Sequence, residues 1–435
     1  MIIERIEIVR LYGAFTKNVD FHAGLNLLVG INGSGKTSIL NCIEWMTAPN
    51  IARLACTHFH SIKLFIRNAG KHYIIHARRT SSILTVTVTG GGMNAEALKL
   101  ELERPVSSIK SEQDLFDAMQ YYDKLTPEAH ERQVWAFLNE LPKPLSVSLD
   151  RTITADTDGE VFYEGVVSRQ KVRRPRSPIS KVVDVTRARF VSYKKKIQSH
   201  NDTLKSKLMV SAFKSPFAGM SEKPVSMVTT AQLSELEGKV TSLLYSSVEM
   251  GAAEAESIRS YFEEAREIIT YGESDEAAKT IFYAQYRHIH ELAEAFREYE
   301  ASAARAYESI GSYLEALNSF FKESKKQIGF NDSDGVLGFR HIGQDNEAVG
   351  SYYSIDRMSS GERQLIILIT FLAFVSKKDH VFIVDEPELS LHPRWQRNFV
   401  STVLQQSPKG SQIIMATHSP EIVSRYRDNC VILDV

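Results

Sequence analysis

The chain has 435 residues, with 52 Lys and Arg against 53 Asp and Glu, a formal net charge of −1 and 43% apolar residues. That length and apolar content are enough for two or three buried cores and exclude wholesale disorder. The balanced charge excludes nucleic-acid binding by overall attraction and leaves it to local basic patches.

In chain order, Ile2–Leu11 and Val19–Val29 alternate apolar and polar residues and read as strands. Between them lie Tyr12 and Phe15, either core filler or a platform on which a nucleotide base could stack. The largely apolar run Leu25 to Val29 then leads into Gly30-Ile31-Asn32-Gly33-Ser34-Gly35-Lys36-Thr37, which fits G-x-x-x-x-G-K-[ST], and a helix is expected from Ser38. The spacing suits phosphate. Glycines let the backbone close around oxygens without a clashing Cβ, and the loop amides and helix N-terminus present partial positive charge. Lys36 is placed to reach the β and γ phosphates, and the Thr37 hydroxyl to ligate Mg²⁺.

Three short β runs follow, Ile62–Arg67, His72–Arg78 and Ile83–Thr89, and read as an antiparallel meander that ends at Gly90-Gly91-Gly92. Helices are expected over 112–123 and 127–140. A hairpin is expected from Leu145–Thr154 and Glu160–Tyr163 around Asp156-Thr157-Asp158-Gly159. Residues 169–207 are locally basic, with Arg169, Lys171, Arg173, Arg174 and Arg176 followed by Lys194, Lys195, Lys196, Lys205 and Lys207. Such a stripe is either a solvated helix face or a hold on phosphate backbone.

Further helices are expected over 231–247, 252–271 and 275–323, the last capped by Ser274. It repeats Phe282, Ile289, Phe296, Ala303, Ile310 and Leu317 every seventh residue. A companion row runs Gln285, Leu292, Tyr299, Ala306, Tyr313 and Phe320. That register predicts a coiled-coil-like arm about 70 Å long, with Gly311 a candidate kink. His288, His290 and Glu291 fit H-E-x-x-H only in part, because Glu294 stands where the second His is needed, so no zinc site is expected.

A hairpin over 327–343 turns at Asp332-Ser333-Asp334-Gly335. Ser359-Ser360-Gly361-Glu362 precedes an apolar helix from Leu365 to Val375 and reads as a second phosphate-binding helix start. Val381 to Glu386 is an apolar strand ending in two carboxylates. Asp385 is the candidate Mg²⁺ ligand and Glu386 the candidate base for water attacking the γ phosphate. Gln412 to Ser419 is a strand with His418 at its carboxyl end, where ligands of parallel sheets gather.

Together these residues resemble an ABC-type ATPase head of the SMC/RecF/OLD group. Gly30–Thr37 resembles its Walker A motif, Val381–Glu386 its Walker B, Ser359–Glu362 its signature and His418 its switch histidine. The resemblance implies an α/β P-loop head with a mixed sheet, split by a helical insertion. The expected division is 1–92 and 327–435 for the head, 93–180 for a mixed insertion and 181–326 for a helical arm. It further implies ATP and Mg²⁺ as cofactors, with Gly30, Asn32, Gly33, Ser34, Gly35, Lys36, Thr37 and Ser38 binding nucleotide in one chain. Ser359, Ser360, Gly361 and Glu362 would complete the site of a second chain, in head-to-tail dimers or higher oligomers. Turnover would be slow in single heads. The usual Q-loop role stays unassigned, since Gln113 is the first glutamine after Thr37.

Asp385-Glu386-Pro387-Glu388-Leu389-Ser390-Leu391-His392-Pro393 is more discriminating. Transporter ATPases place Asp where His392 stands, and this form is more similar to OLD-family ATPases and to ATPase subunits of bacterial anti-phage systems such as Septu and PARIS. Three functions compete: an anti-phage ATPase that holds or activates a separate effector nuclease, a DNA repair ATPase of RecF/SMC type, and a scaffold that uses ATP as an assembly switch. A nuclease gene beside this one would decide between the first two. Cys42, Cys56 and Cys430 have no metal-ligand spacing and read as buried thiols. No signal peptide precedes the first strand, and Leu365–Val375 is too short to span a bilayer. A cytoplasmic, soluble protein without membrane partners is expected. Seventeen residues follow His418, so no nuclease domain is expected in this chain.

Overall fold

The computed structural model describes residues 1–48, 50–103, 109, 111–124, 126–147, 152–154, 161–163, 178–213, 229–247, 252–271, 276–345 and 347–433; for 276–290 only the backbone is described. Strand β1 (Ile2–Leu11) pairs antiparallel with β2 (Phe15–Asp20). Its buried residues are Ile3, Ile6, Ile8 and Leu11, spaced three, two and three apart rather than strictly by two. Register shifts between Ile3 and Arg5 and between Ile8 and Leu11 account for this, because each extra residue returns the apolar side chains to one face.

The stretch expected as one strand over Val19–Val29 divides. β2 stops at Asp20, and β3 (Leu25–Val29) enters a different sheet, buried along Leu25–Leu28. The turn between them is fixed by Asn26, fully buried. Its Oδ1 accepts the His22 N–H at 2.7 Å, and its Nδ2 donates to His22 O at 2.9 Å.

Helices α1 (Lys36–Thr47) and α2 (Ile51–Cys56) follow, then the meander β4 (Ser61–Asn68), β5 (Lys71–Arg79) and β6 (Ile83–Gly90), as its alternation predicts. β7 (Met93–Asn94) and β8 (Leu98–Glu101) both pair with β6. Helix α3 (Glu112–Asp123) starts at a capping box between Ser111 and Asp114, and α4 (Arg132–Glu140) follows. β9 (Leu145–Val147), β10 (Thr152–Thr154) and β11 (Val161–Tyr163) come next; the expected turn at 156–159 lies outside the described residues.

Among the described residues the middle holds four helices: α5 (Pro178–Phe213), α6 (Thr230–Ser247), α7 (Ala252–Tyr271) and α8 (Glu276–Phe321). The chain then returns through β12 (Lys326–Phe330), β13 (Leu337–Ile342) and β14 (Ala348–Ser354), an antiparallel sheet turning at Asp332–Gly335 as expected. β14 is an addition. Its Gly350 and two serines give no apolar alternation, and only its pairing with β13 reveals it. Helix α9 (Ser360–Thr370) widens into a π turn over Phe371–Val375, ahead of β15 (Val381–Asp385), α10 (Pro393–Gln406), β16 (Gln412–Thr417), α11 (Pro420–Val423) and β17 (Cys430–Ile432).

Among the described residues the central sheet has the order β11-β10-β9-β15-β16-β3-β17, parallel from β9 to β17 and antiparallel at β10 and β11, and is therefore mixed. Buried Gln412, at the start of β16, joins it to the meander sheet: its Oε1 accepts the Ile3 N–H at 2.8 Å and its Nε2 donates to Ile3 O at 2.7 Å. Cys42 and Cys56 are buried, as expected, whereas Cys430, which opens the edge strand β17, is only partly buried. No helix among the described residues is long and apolar enough to cross a membrane.

The chain divides into two compact units, Met1–Ala188 with Ser312–Val435, and Arg189–Gly311. This differs from the expected boundaries. The described parts of 93–180 do not stand apart, because β8 pairs with β6 and β9 lies parallel to β15, so they belong to the first unit. The arm is likewise shorter than 181–326, since both ends of α5 and α8 nearest the head lie in that unit.

In the second unit, Leu233 and Leu236 pack with Phe262 and Ala265, while Phe296 and Ala295 of α8 pack with Leu204 of α5. The heptad row is thus satisfied within the chain at Phe296, and Ile310, Tyr313, Leu317 and Phe320 are also buried. The helix runs on through Gly311, where a Cβ would sit 2.6 Å from the Tyr307 ring; glycine makes room for that ring and does not break the helix. The basic cluster at 169–176 and Ser274 lie outside the described residues.

Phe296 is 5% exposed. Phe296→Asp is expected to destabilise this unit by more than the ~3–5 kcal/mol that removing a buried Phe costs, since it also buries a charge. Limited proteolysis should show new cleavage within 189–311, with ATP affinity unchanged; a protease pattern like that of the native chain would show that the packing of Phe296 is dispensable.

Candidate functional site

The loop after β3 is shaped by positive φ at Gly33 (84°) and Gly35 (88°), a left-handed alternation that turns successive amides inward. Gly35 is further constrained by Phe15, whose ring would lie 2.2 Å from an added Cβ; at Gly30 the Ser34 hydroxyl and the Leu433 carbonyl occupy that space. Ser34 Oγ is buried with no hydrogen-bond partner. Lys36 opens α1, and its Nζ donates to Gly30 O at 2.9 Å and Ile31 O at 3.2 Å, so the ammonium folds back over the loop. Burial pulls the Lys36 pKa down, while the Glu386, Asp385 and Glu388 carboxylates push it up. Tyr12 hydrogen-bonds Ser38 just beyond the loop and is 59% exposed. Both aromatics therefore flank the loop, Phe15 as packing and Tyr12 at the open side.

β16 lies between β3 and β15, parallel to both, with Ala416 opposite both Asp385 and Leu28. The carboxyl ends of three strands thus bring Lys36 and Thr37, Asp385 and Glu386, and His418 to one edge. Asp385 is 8% exposed and accepts a hydrogen bond from Thr37, while its Oδ1 is buried without a partner. Burial, with repulsion from Glu386 and Glu388, raises its pKa to about 6 against the Thr37 and Lys36 contributions. An orphaned, electrostatically stressed carboxylate oxygen beside a hydroxyl fits a divalent cation. Among the described residues no group of three or more His, Cys, Asp or Glu could hold a metal unaided, so such a cation would also need oxygens from a ligand.

Glu386 has φ 46° and ψ 57°, the left-handed region that costs a non-glycine residue on the order of 1–3 kcal/mol. The strain turns its carboxylate off the strand end, and its Oε1 lies 3.6 Å from His418 Nε2. No sequence motif assigns Glu388 a role. Its Oε1 accepts the His418 N–H, and its Oε2 is buried without a partner. The signal was an acidic residue one position beyond Pro387 at a strand exit, too common to assign without the fold. Gln396 pins this loop through Glu388 O at 3.3 Å and Leu391 O at 3.0 Å, and accepts Ser419 Oγ–H at 2.6 Å. His392 caps α10, its Nδ1 accepting the Arg394 N–H at 3.4 Å. Gln113 is exposed on α3 and donates to Asp117 at 3.0 Å, so it supplies no Q-loop contact.

The Ser359-Ser360-Gly361-Glu362 turn starts α9 with Ser359 as N-cap. Ser359 N–H donates to Glu362 Oε2 at 2.9 Å, and Lys326 Nζ reaches both Glu362 oxygens at 2.7 and 2.9 Å. Burial alone would raise the Glu362 pKa; the Lys326 and Ser359 bonds outweigh it and hold the carboxyl below its ordinary value. Both of its oxygens are therefore engaged within the chain, whereas Ser359 and Ser360 are exposed.

A family model described as an AAA ATPase domain matches residues 1–423. A curated protein of Bacillus thuringiensis subsp. konkukian, described as a putative ABC transporter ATP-binding protein, is 37% identical over 76 residues, 17% of this chain and 13% of that protein. A protein of the same description from Caldanaerobacter subterraneus is 28% identical over 78 residues, 18% of this chain and 31% of that protein. The chain thus aligns with under a third of either relative. Among solved structures, an Smc head domain with an extended coiled coil, bound to the C-terminal domain of ScpA, from Pyrococcus furiosus, is similar over 97% of this chain and 91% of that one, with 14% identity and a TM-score of 0.36.

Proposed function

The chain belongs to the AAA ATPase domain family and is an ATPase, and from that premise we propose that it is the ATP-hydrolysing subunit of a prokaryotic anti-phage complex that holds or activates a separate nuclease. The observation that carries the chemistry is the meeting of Lys36, Thr37, Asp385, Glu386 and His418 at one sheet edge. ATP phosphates sit on the amides of 33–38, and Lys36 exchanges its bonds to Gly30 and Ile31 for phosphate oxygens. Thr37 and Asp385 hold Mg²⁺, which when bound neutralises phosphate charge. Glu386 orients and deprotonates the attacking water. His418, fixed through its own N–H by Glu388, steadies Glu386. Tyr12 offers its open face to the adenine ring.

Ser359, Ser360 and the N-terminus of α9 meet the γ phosphate held by a second copy, so hydrolysis needs head-to-tail dimers and a single head turns over slowly. The defence assignment is supported by the similarity of Asp385–Pro393 to ATPases of anti-phage systems. It is tested by infecting cells that carry the native locus with a phage panel. Protection should vanish with Glu386→Gln. Equal protection by that variant would favour the reading as a scaffold that uses ATP as an assembly switch, and no protection together with a new sensitivity to DNA damage on deletion would favour the repair reading.

A further inference from the structure

The turn that opens α9 is held from outside its own helix. Lys326, the first residue of β12, bonds both oxygens of Glu362, and its ammonium lies 5.3 Å from the centre of the Phe339 ring. The Glu362 side chain is 8% exposed and that of Lys326 19%, so water screens the pair little. The same carboxylate closes the capping box: Oε2 accepts the Ser359 N–H at 2.9 Å, and the Glu362 N–H donates to Ser359 Oγ at 3.3 Å. Without Lys326 a buried carboxylate would lose its cation and would either take up a proton or turn toward water, and both loosen the box. The lysine is itself placed from elsewhere. Asn318, near the end of α8, accepts the Ile328 N–H at 2.7 Å and donates to Ile328 O at 3.0 Å, which fixes β12 two residues past Lys326.

We propose that Lys326 is a positioning residue for ATP hydrolysis: acting through Glu362, it holds the Ser359-Ser360-Gly361 turn in the shape that meets the nucleotide of a second copy of the chain. This rests on the reading of that turn given above. The lysine touches no nucleotide. Its effect is geometric, and a displacement of about 1 Å in a positioning group can cost on the order of 10²-fold in rate.

The test uses the full chain and compares Lys326→Met, Lys326→Arg, Glu362→Gln and the double variant that carries Lys326→Met with Glu362→Gln. Lys326→Met should lower kcat by about 10²-fold, with the affinity of the single chain for a fluorescent ATP analogue unchanged. Lys326→Arg should keep most of the activity, because it still offers a cation to both oxygens. The double variant should be no slower than Lys326→Met, since a neutral amide in place of the Glu362 carboxylate no longer needs the cation. Additive losses in the double variant, or a loss of nucleotide affinity in Lys326→Met, would overturn the proposal. If Lys326→Met does not fold, Lys326→Gln, which still donates a hydrogen bond, replaces it.

Mixing separates the two layers of inference. Lys326→Met mixed with Lys36→Ala should recover hydrolysis, as should Ser359→Arg mixed with Lys36→Ala. Recovery of the Ser359 pair without the Lys326 pair would reject the positioning role and keep the two-chain site. Recovery of neither, together with no ATP-dependent dimer in the mixture, would reject the two-chain site and with it the proposal; recovery of neither with the dimer still formed would mean that the two sites fire only together, and non-additivity between Lys326 and Glu362 would then decide the positioning role.

Discussion

Glu386→Gln is expected to slow ATP hydrolysis by about 10²–10⁴-fold, the range over which a positioned general base contributes, with ATP binding retained. Gln is nearly isosteric and can keep the left-handed backbone that Glu386 adopts at φ 46°. The loop, Lys36 and the Thr37–Asp385 bond are untouched by the change. What is lost is the ability to take a proton from water. Phosphate release and nucleotide affinity must be measured separately. Turnover near that of the native chain would show that Glu386 is not the base and would shift attention to Glu388, whose Oε2 is buried without a partner. Lys36→Ala is expected to act on the other quantity: it removes the cation that lies over the loop and should weaken ATP binding itself.

Ser359→Arg is expected to abolish hydrolysis in the pure variant while leaving the fold intact. Ser359 is exposed, so the larger side chain meets no core, although the variant also loses the Ser359 Oγ that accepts the Glu362 N–H. Losing an N-cap costs about 1 kcal/mol, which a unit of this size tolerates. Bulk and charge at the start of α9 would instead obstruct a second chain's nucleotide. Mixed with Lys36→Ala, it should regain part of the activity, because one composite site then joins an intact loop from one chain to an intact turn from the other. No recovery at any mixing ratio would argue that the turn acts within its own chain or that the two sites fire only together; ATP-dependent dimer formation in the mixture distinguishes these, since a strictly coupled pair still closes around the composite site.

Several readings needed nothing but local chemistry. Gly30–Thr37 announces a phosphate loop because its conformation requires glycine at fixed offsets, and the structure puts positive φ at Gly33 and Gly35. The meander over 61–90 was readable because alternation is a property of neighbours in sequence; the helix over 112–123 is present as expected. The apolar row of α8 was readable as one long helix for the same reason.

The rest depended on pairing across long separations, which periodicity does not encode. Leu145–Val147 is a short run of three residues until β15 lies beside it, and that ladder, with the pairing of β8 to β6, places the described parts of 93–147 in the same compact unit as the rest of the head. The break between β2 and β3 followed from two sheets competing for adjacent residues. Which of the three acids after Val384 meets Thr37 and which meet His418 was set by the backbone turn at Glu386 and by the position of β16. Glu362 is the sharpest instance. Its place after Ser359 and Ser360 marked a helix start, and the structure makes Ser359 and Glu362 a capping box. That the carboxylate would also be claimed by Lys326, 36 residues earlier in sequence, was decided only when β12 was laid against the start of α9. Motif spacing is fixed by covalent geometry and was therefore written in the sequence, whereas the partner of each buried charge was chosen by packing.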